Sequence, residues 1–166
     1  MILIDTREKP RAITRIIEEF EKRSIRYDSS KLYVGDYMSL DNPRLIIDRK
    51  QNLTELCSNV TGDHERFRNE LIRAQESGIK LIMLVEHGKG ITCLTDVIWW
   101  ANPRRFKRVR SKESKWITIE TKATTGETLY NILTTMEKKY GCEFQFCEKS
   151  ETGRRIIEIL GGETVD

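Results

Sequence analysis

The chain has 166 residues and carries 29 basic against 26 acidic side chains, a net charge of +3. With 38% hydrophobic and 33% charged residues, it is expected to form one domain with a modest core and a wet surface. The longest apolar runs, 81–85 and 97–101, fall far short of the roughly 20 residues of a membrane span, and residues 1–4 run straight into Asp5, so neither a transmembrane helix nor a secretory signal is predicted.

Residues 1–5 are a short apolar run ending in an acid and read as a buried strand. From 10 to 26, Ile13, Ile16, Ile17 and Phe20 recur at helical spacing, which predicts a helix with one buried face. Residues 31–40 and 44–50 flank the turn-forming cluster Asp41-Asn42-Pro43 and read as an antiparallel hairpin. The consecutive apolar residues Leu45, Ile46 and Ile47 predict a return strand covered on both faces. A helix over 63–77 presents Phe67, Leu71 and Ala74, with Asp63 at its start and Gly78 at its end. Residues 80–86 are the strongest strand signal and are expected at the sheet's centre. Thr124 and Glu127 have capping-box spacing and open a helix through Lys139, with Gly141 beyond it. A strand over 142–147 and a helix over 151–160, with Ile156, Ile157 and Leu160 inward, close the chain. The sum is an α/β fold with a central mixed sheet flanked by helices, one domain over 1–166.

Residues 89–125 break this alternation and read as a basic, Trp-containing insertion. They hold Trp99, Trp100 and Trp116. Residues 104–115 carry Arg104, Arg105, Lys107, Arg108, Arg110, Lys112 and Lys115 against Glu113 alone, a net +6 that leaves the rest of the chain at −3. Such a run is either a solvated face or a phosphate-backbone contact; Phe106 and Trp116, available to stack on bases, favour nucleic acid. One of Trp99 and Trp100 is expected in the core. Four cysteines without CxxC spacing read as reduced thiols. His64 and His87 read as exposed and structural respectively. Gly88-Lys89-Gly90 reads as a turn and lacks the pattern of a nucleotide-binding loop, so no nucleotide cofactor is expected.

The hairpin carries the chemistry. A turn centred on Asn42 sets Asp36 opposite Asp48, with Cβ atoms about 4.5–5.5 Å apart. Lys50, two residues on, shares the face of Asp48. Two close carboxylates call for compensation, which a hard divalent cation supplies. A cation held by Asp36 and Asp48 would polarise a phosphate oxygen and acidify a water, with Lys50 orienting or deprotonating that water or neutralising charge. On spacing alone, an ordinary surface hairpin with an Asp–Lys pair is equally compatible.

Asp5-Thr6-Arg7-Glu8, Gly35-Asp36-Tyr37 and Asp48-Arg49-Lys50 occur in that order, on elements expected to be strand, hairpin start and return strand. The set resembles the nuclease core of the XPF-type structure-specific endonucleases, members of the PD-(D/E)xK restriction-endonuclease-like superfamily. Glu55-Leu56, Arg66-Phe67, the strand ending in Glu86 and residues 126–160 are similar to later parts of that core, leaving 89–125 unmatched. The resemblance implies a restriction-endonuclease-like fold and an Mg²⁺-dependent endodeoxyribonuclease, with Mn²⁺ able to substitute, acting on flap, fork or other branched DNA. It implies Asp36, Asp48 and the backbone carbonyl of Arg49 as metal ligands and Lys50 as the catalytic lysine. Asp5 and Glu8 would lie beside the metal, Arg7 on the phosphate, Arg66 on the DNA backbone and Glu70 in the metal's outer shell.

The departures are Asp48 where Glu is common, and Thr54 where an acid is frequent. The tandem helix-hairpin-helix motifs that follow the core in the family's eponymous members find no room before Asp166, so junction preference does not transfer. The expected partner is branched or duplex DNA, and a homodimer is compatible. A cytoplasmic, bacterial or phage-encoded protein is the expected context. Two alternatives are a catalytically silent DNA- or partner-binding subunit, which the presence of all five charged residues at 5, 8, 36, 48 and 50 disfavours, and a dimeric junction resolvase.

Overall fold

The computed structural model describes residues 1–62, 64–88 and 90–161. The expected cap Asp63, and Lys89 of the expected turn at 88–90, lie outside the described residues. Six strands, β1 (Ile2–Asp5), β2 (Tyr27–Ser30), β3 (Tyr37–Ser39), β4 (Asn42–Lys50), β5 (Lys80–Glu86) and β8 (Glu143–Cys147), form one sheet in the order β2-β1-β3-β4-β5-β8. Only β3 runs against the others. The C-terminal ends of β1, β4, β5 and β8 therefore share one edge with the start of β3.

Helices α1 (Pro10–Lys22) and α5 (Thr152–Leu160) cover one face; α2 (Leu53–Thr61), α3 (His64–Glu76) and α4 (Gly126–Tyr140) cover the other. The continuous apolar runs of β4 and β5 follow from this double cover: Ile46 and Met83 enter the α2–α4 core, while Ile47 and Leu84 enter the α1–α5 core. Alternation along β4 then sends Asp48 and Lys50 to the α2–α3 side and Arg49 to the α1–α5 side.

The hairpin keeps the expected register by a different route. The turn lies at Leu40-Asp41, closed by the pair Ser39–Asn42, not at Asp41-Asn42-Pro43. A register shift between Met38 and Ser39 then places Pro43, Arg44 and Leu45 as extra residues on β4. Met38 faces Ile46 and Tyr37 faces Ile47, the alignment that a turn centred on Asn42 would have produced. Only 37–39 of the expected first strand pair.

Pro10 starts α1, where its lost N–H has no helical partner to forgo. The helix ends at Lys22 rather than 26, because Ser24 takes a positive φ of 55° and Ile25 N–H turns back to Phe20. That reversal launches β2, an exposed edge strand, Tyr27-Asp28-Ser29-Ser30, whose sequence shows no apolar alternation. Helix α2 was not expected either. Asn52 caps it by accepting from Glu55 N–H, and the Glu55 carboxylate accepts from Gln51 N–H. In α4 the cap is Thr125, one residue after the expected Thr124. A Cβ on Gly126 would lie 2.4 Å from the carbonyl oxygen of Val97, so only glycine lets this helix start so close to its neighbour.

That neighbour is a 3-10 turn, Leu94–Trp99. It buries Val97 and Trp100 and leaves Trp99 83% exposed. Beyond it, β6 (Phe106–Arg110) and β7 (Trp116–Glu120) pair as an antiparallel arm separate from the main sheet. Among the described residues no helix is long and apolar enough to cross a membrane. All four cysteines are free; burial pushes the thiol of Cys142 up to about 12 and that of Cys147 to about 11, which leaves both unreactive.

Candidate active site

At the C-terminal sheet edge, Arg7, Glu8, Asp36, Asp48, Arg49, Lys50, Gln51, Glu55, Arg66 and Glu70 line a polar cleft of about 190 Å³. The hairpin register brings its acids together. Asp36 N–H donates to Ile47 O at 2.7 Å, and Arg49 N–H donates to Asp36 Oδ2 at 2.8 Å, which fastens the start of β3 to the end of β4. Lys50 Nζ lies 2.7 Å from Asp48 Oδ1 and 5.1 Å from the centre of the Phe67 ring. The Lys50 ammonium is thus the partner of the buried Oδ1 of Asp48.

Electrostatics mark the site as short of positive charge. Burial, then Asp48 and Glu8, raise the Asp36 carboxyl well above the usual carboxylate range. Burial also raises Asp48, with Glu70 and Glu55 adding to it and Lys50 opposing it. Burial works against the charge on Lys50, but Asp48 outweighs it and raises the ammonium, which therefore stays protonated. A protonated lysine can orient water and offset negative charge; it is not poised to remove a proton.

The flanking residues are held from afar. Gly35 N–H donates to Glu70 Oε1 at 3.1 Å, so α3 steadies the turn before Asp36. Gly35 has φ +65°, and a Cβ there would lie 2.6 Å from Ile46 Cγ2. Arg49 is buried and holds two carboxylates. It donates to Glu8 Oε2 at 3.0 Å and to Glu86 Oε1 at 3.1 Å. Tyr37 and Thr152 hydroxyls donate to the same two acids.

Asp5 does not line the cleft. Its Oδ1 accepts from the backbone and side chain of Arg7, and its Oδ2 accepts from Leu32 N–H at 2.7 Å. Oδ1 thus holds Arg7, whose side chain stays 54% exposed beside the cleft, while Oδ2 is taken by Leu32. Arg66 lines the cleft from α3. Glu55, Gln51, Tyr37 and Glu86 join the cleft or its supports without having been expected there; the Asn52–Glu55 cap spacing and the helical recurrence of Leu53, Leu56, Cys57 and Val60 are the signals that place Glu55 on the first turn of a helix.

The basic residues of 104–112 lie on the arm and its base. Arg104 donates to Ser58 of α2 at 2.8 Å, close to Glu55 on the cleft wall. Arg105 pairs with Glu120. Arg108 and Arg110 lie 5.6 and 5.9 Å from the Trp116 ring centre. Lys107 stands on the opposite face, opposite Ile119, and Lys112 lies in the turn between the strands.

The oxygen donors fit a hard divalent cation: one half-buried and one buried carboxylate, in a setting that favours added positive charge. Among the described residues no three His, Cys, Asp or Glu side chains form a cage, so a cation here would share its shell with backbone carbonyl, water and substrate oxygens. Small hard cations such as Mg²⁺ commonly bind this way.

The ERCC4 domain model matches residues 4–159, and the chain belongs to that family. Two solved structures share the fold. XPF from Aeropyrum pernix matches at 15% identity with a TM-score of 0.61, over 96% of this chain and 62% of that one. XPF from the same organism in complex with DNA matches at 17% identity, with the same TM-score and the same coverage. The chain thus spans about three fifths of the structures it resembles. No curated protein matches the sequence.

Proposed function

We propose that the protein is a divalent-metal-dependent endodeoxyribonuclease that cuts flap, fork or other branched duplex DNA. The observation that carries this reading is the convergence of Asp36, Asp48 and protonated Lys50 in a polar cleft. Family membership and the DNA complex of XPF from Aeropyrum pernix support DNA as the substrate class.

Asp36 and Asp48 would hold Mg²⁺ or Mn²⁺, with the Arg49 carbonyl completing the protein's share. When bound, the ion supplies Lewis acidity at a phosphate oxygen and a lowered pKa for a coordinated water. Lys50 orients the attacking water and offsets negative charge at the transferring phosphoryl group. Arg7, exposed and steered by Asp5, contacts the scissile phosphate. Glu8 lines the cleft and holds Arg49 and Tyr37 through its Oε2. The basic arm lies along the flanking duplex.

The test is cleavage of labelled single strand, duplex, flap, fork and four-way junction with Mg²⁺, Mn²⁺ or EDTA, by wild type and Asp48→Asn. Metal-dependent cutting lost in Asp48→Asn is expected, with a fall of at least about 10²-fold for the loss of an electrostatic stabiliser of the transition state. Tight DNA binding without cutting under any metal would replace this reading with that of a silent binding subunit.

A further inference from the structure

A second cleft opens on the other face of the same sheet edge. It has a volume of about 500 Å³ and is lined by Arg11, Arg15 and Glu18 of α1, Glu86 at the end of β5 and Lys149 after β8. Arg11 and Arg15 are an i, i+4 pair, so their Cβ atoms lie about 5–6 Å apart on one helix face. Arg11, Arg15 and Lys149 are exposed, and none of them is in an ion pair among the described residues. This differs from the neighbouring surface of α5, where Arg154 and Arg155 are both tied to Glu158. Of the two acids, Glu86 is already paired with Arg49, which leaves Glu18 as the one exposed counter-charge in the cleft.

The two clefts are separated by one buried link. Glu86 lines the second cleft and binds Arg49; Arg49 binds Glu8, which lines the first. A polyanion lying across the C-terminal edge of the sheet would therefore meet the acidic cleft on one side and three uncommitted cations on the other.

We propose that Arg11, Arg15 and Lys149 form a second phosphate-backbone site that holds the DNA strand as it leaves the acidic cleft, so that the substrate crosses the sheet edge from one face to the other. This rests on the DNA reading above. The site recognises phosphodiester charge rather than base identity, because it offers flexible cations and no aromatic side chain.

The test measures binding of a labelled forked duplex by anisotropy in EDTA, across a salt series, for full-length Asp48→Asn as the background. Replacing Arg11, Arg15 and Lys149 with alanine should weaken binding by about tenfold or more and reduce the slope of log Kd against log salt by up to about 2.7, the release expected for three duplex phosphates. Glu18→Gln should act in the opposite direction and tighten binding severalfold, a gain that damaged folding would not produce. An unchanged slope in the triple variant, or no gain in Glu18→Gln, overturns the proposal. Cutting by wild type with an unaltered slope in the triple variant refutes this site alone. A reduced slope without cutting by wild type under any metal keeps the site and refutes the nuclease reading, whereas absence of DNA binding by wild type removes both.

Discussion

Asp36 and Asp48 hold the conflict on which the site depends. Burial raises both carboxyls, helped by Asp48 and Glu8 at Asp36 and by Glu70 and Glu55 at Asp48, so the fold itself opposes their ionisation. A carboxyl raised in the folded state binds its proton more tightly there than in the unfolded chain. Its unfavourable contribution is thus absent below the unfolded value of about 3.9, grows as pH rises past it, and is fully present once pH exceeds the folded value. Asp36→Asn, tested in EDTA, should therefore melt higher than wild type at pH 7, with the difference shrinking towards pH 4. Calorimetry across pH 4–8 reads this directly; a shift of a few degrees is expected, since ~1 kcal/mol moves Tm by about 2–4 °C in a chain of this size. A wild type that melts higher at pH 7 would contradict the charge deficit. The same variant should lose any melting-point rise produced by Mg²⁺ or Mn²⁺.

At the level of elements, the hairpin and its approach set the geometry. Gly35 combines positive φ with a close approach to both Ile46 and Ile47; a Cβ at this position would lie 2.9 Å from the Ile47 carbonyl oxygen. Its N–H also reaches Glu70 on α3. Gly35→Ala forces the backbone and the neighbouring strand apart and should cost about 2–4 kcal/mol, the sum of left-handed strain and overpacking. Thermal melting should fall accordingly, and cleavage should fall with it, because Asp36 is the next residue. A Tm within a degree of wild type would show that the turn relaxes without strain. The hairpin also shows that two irregularities can cancel: the turn at Leu40-Asp41 and the three extra residues on β4 together restore the pairing that aligns Asp36 with Asp48.

At the scale of the whole molecule, charge is divided among surfaces around one sheet edge. The arm stands on the α2–α4 side, tied to α2 by Arg104 and Ser58, while Arg11, Arg15 and Lys149 line the α1 side. An isolated two-stranded ribbon is marginal in water, and Phe106 and Trp116 are each 61% exposed on it. Reversing the charge of Arg104, Arg105 and Arg108 to glutamate should weaken duplex binding and flatten its salt dependence. Arg105 should contribute least, because Glu120 already pairs with it. Anisotropy over a salt series checks this, and an unchanged slope removes the arm from the DNA path.

The acid pair, its lysine and the alternation of β4 were legible in the sequence, because period-two patterning and a short hairpin are local properties of the chain. So were β5 and the inward residues Ile156, Ile157 and Leu160 of α5, whose apolar patterns exceed what any loop would carry. The polar edge strand β2 was not, because it has no buried face to pattern; helix α2 carries Leu53, Leu56, Cys57 and Val60 at helical spacing behind its Asn52 cap, a signal confined to nine residues. Tertiary structure alone decided what holds the site. Glu70 reaches Gly35 across 35 residues, Arg49 reaches Glu86 across 37 and Glu8 across 41. It also decided that Asp5 spends both oxygens on Arg7 and Leu32 rather than facing the cleft. Such contacts depend on strand order and layer packing, and a one-dimensional pattern carries no record of which distant buried charges must be paired once water is excluded.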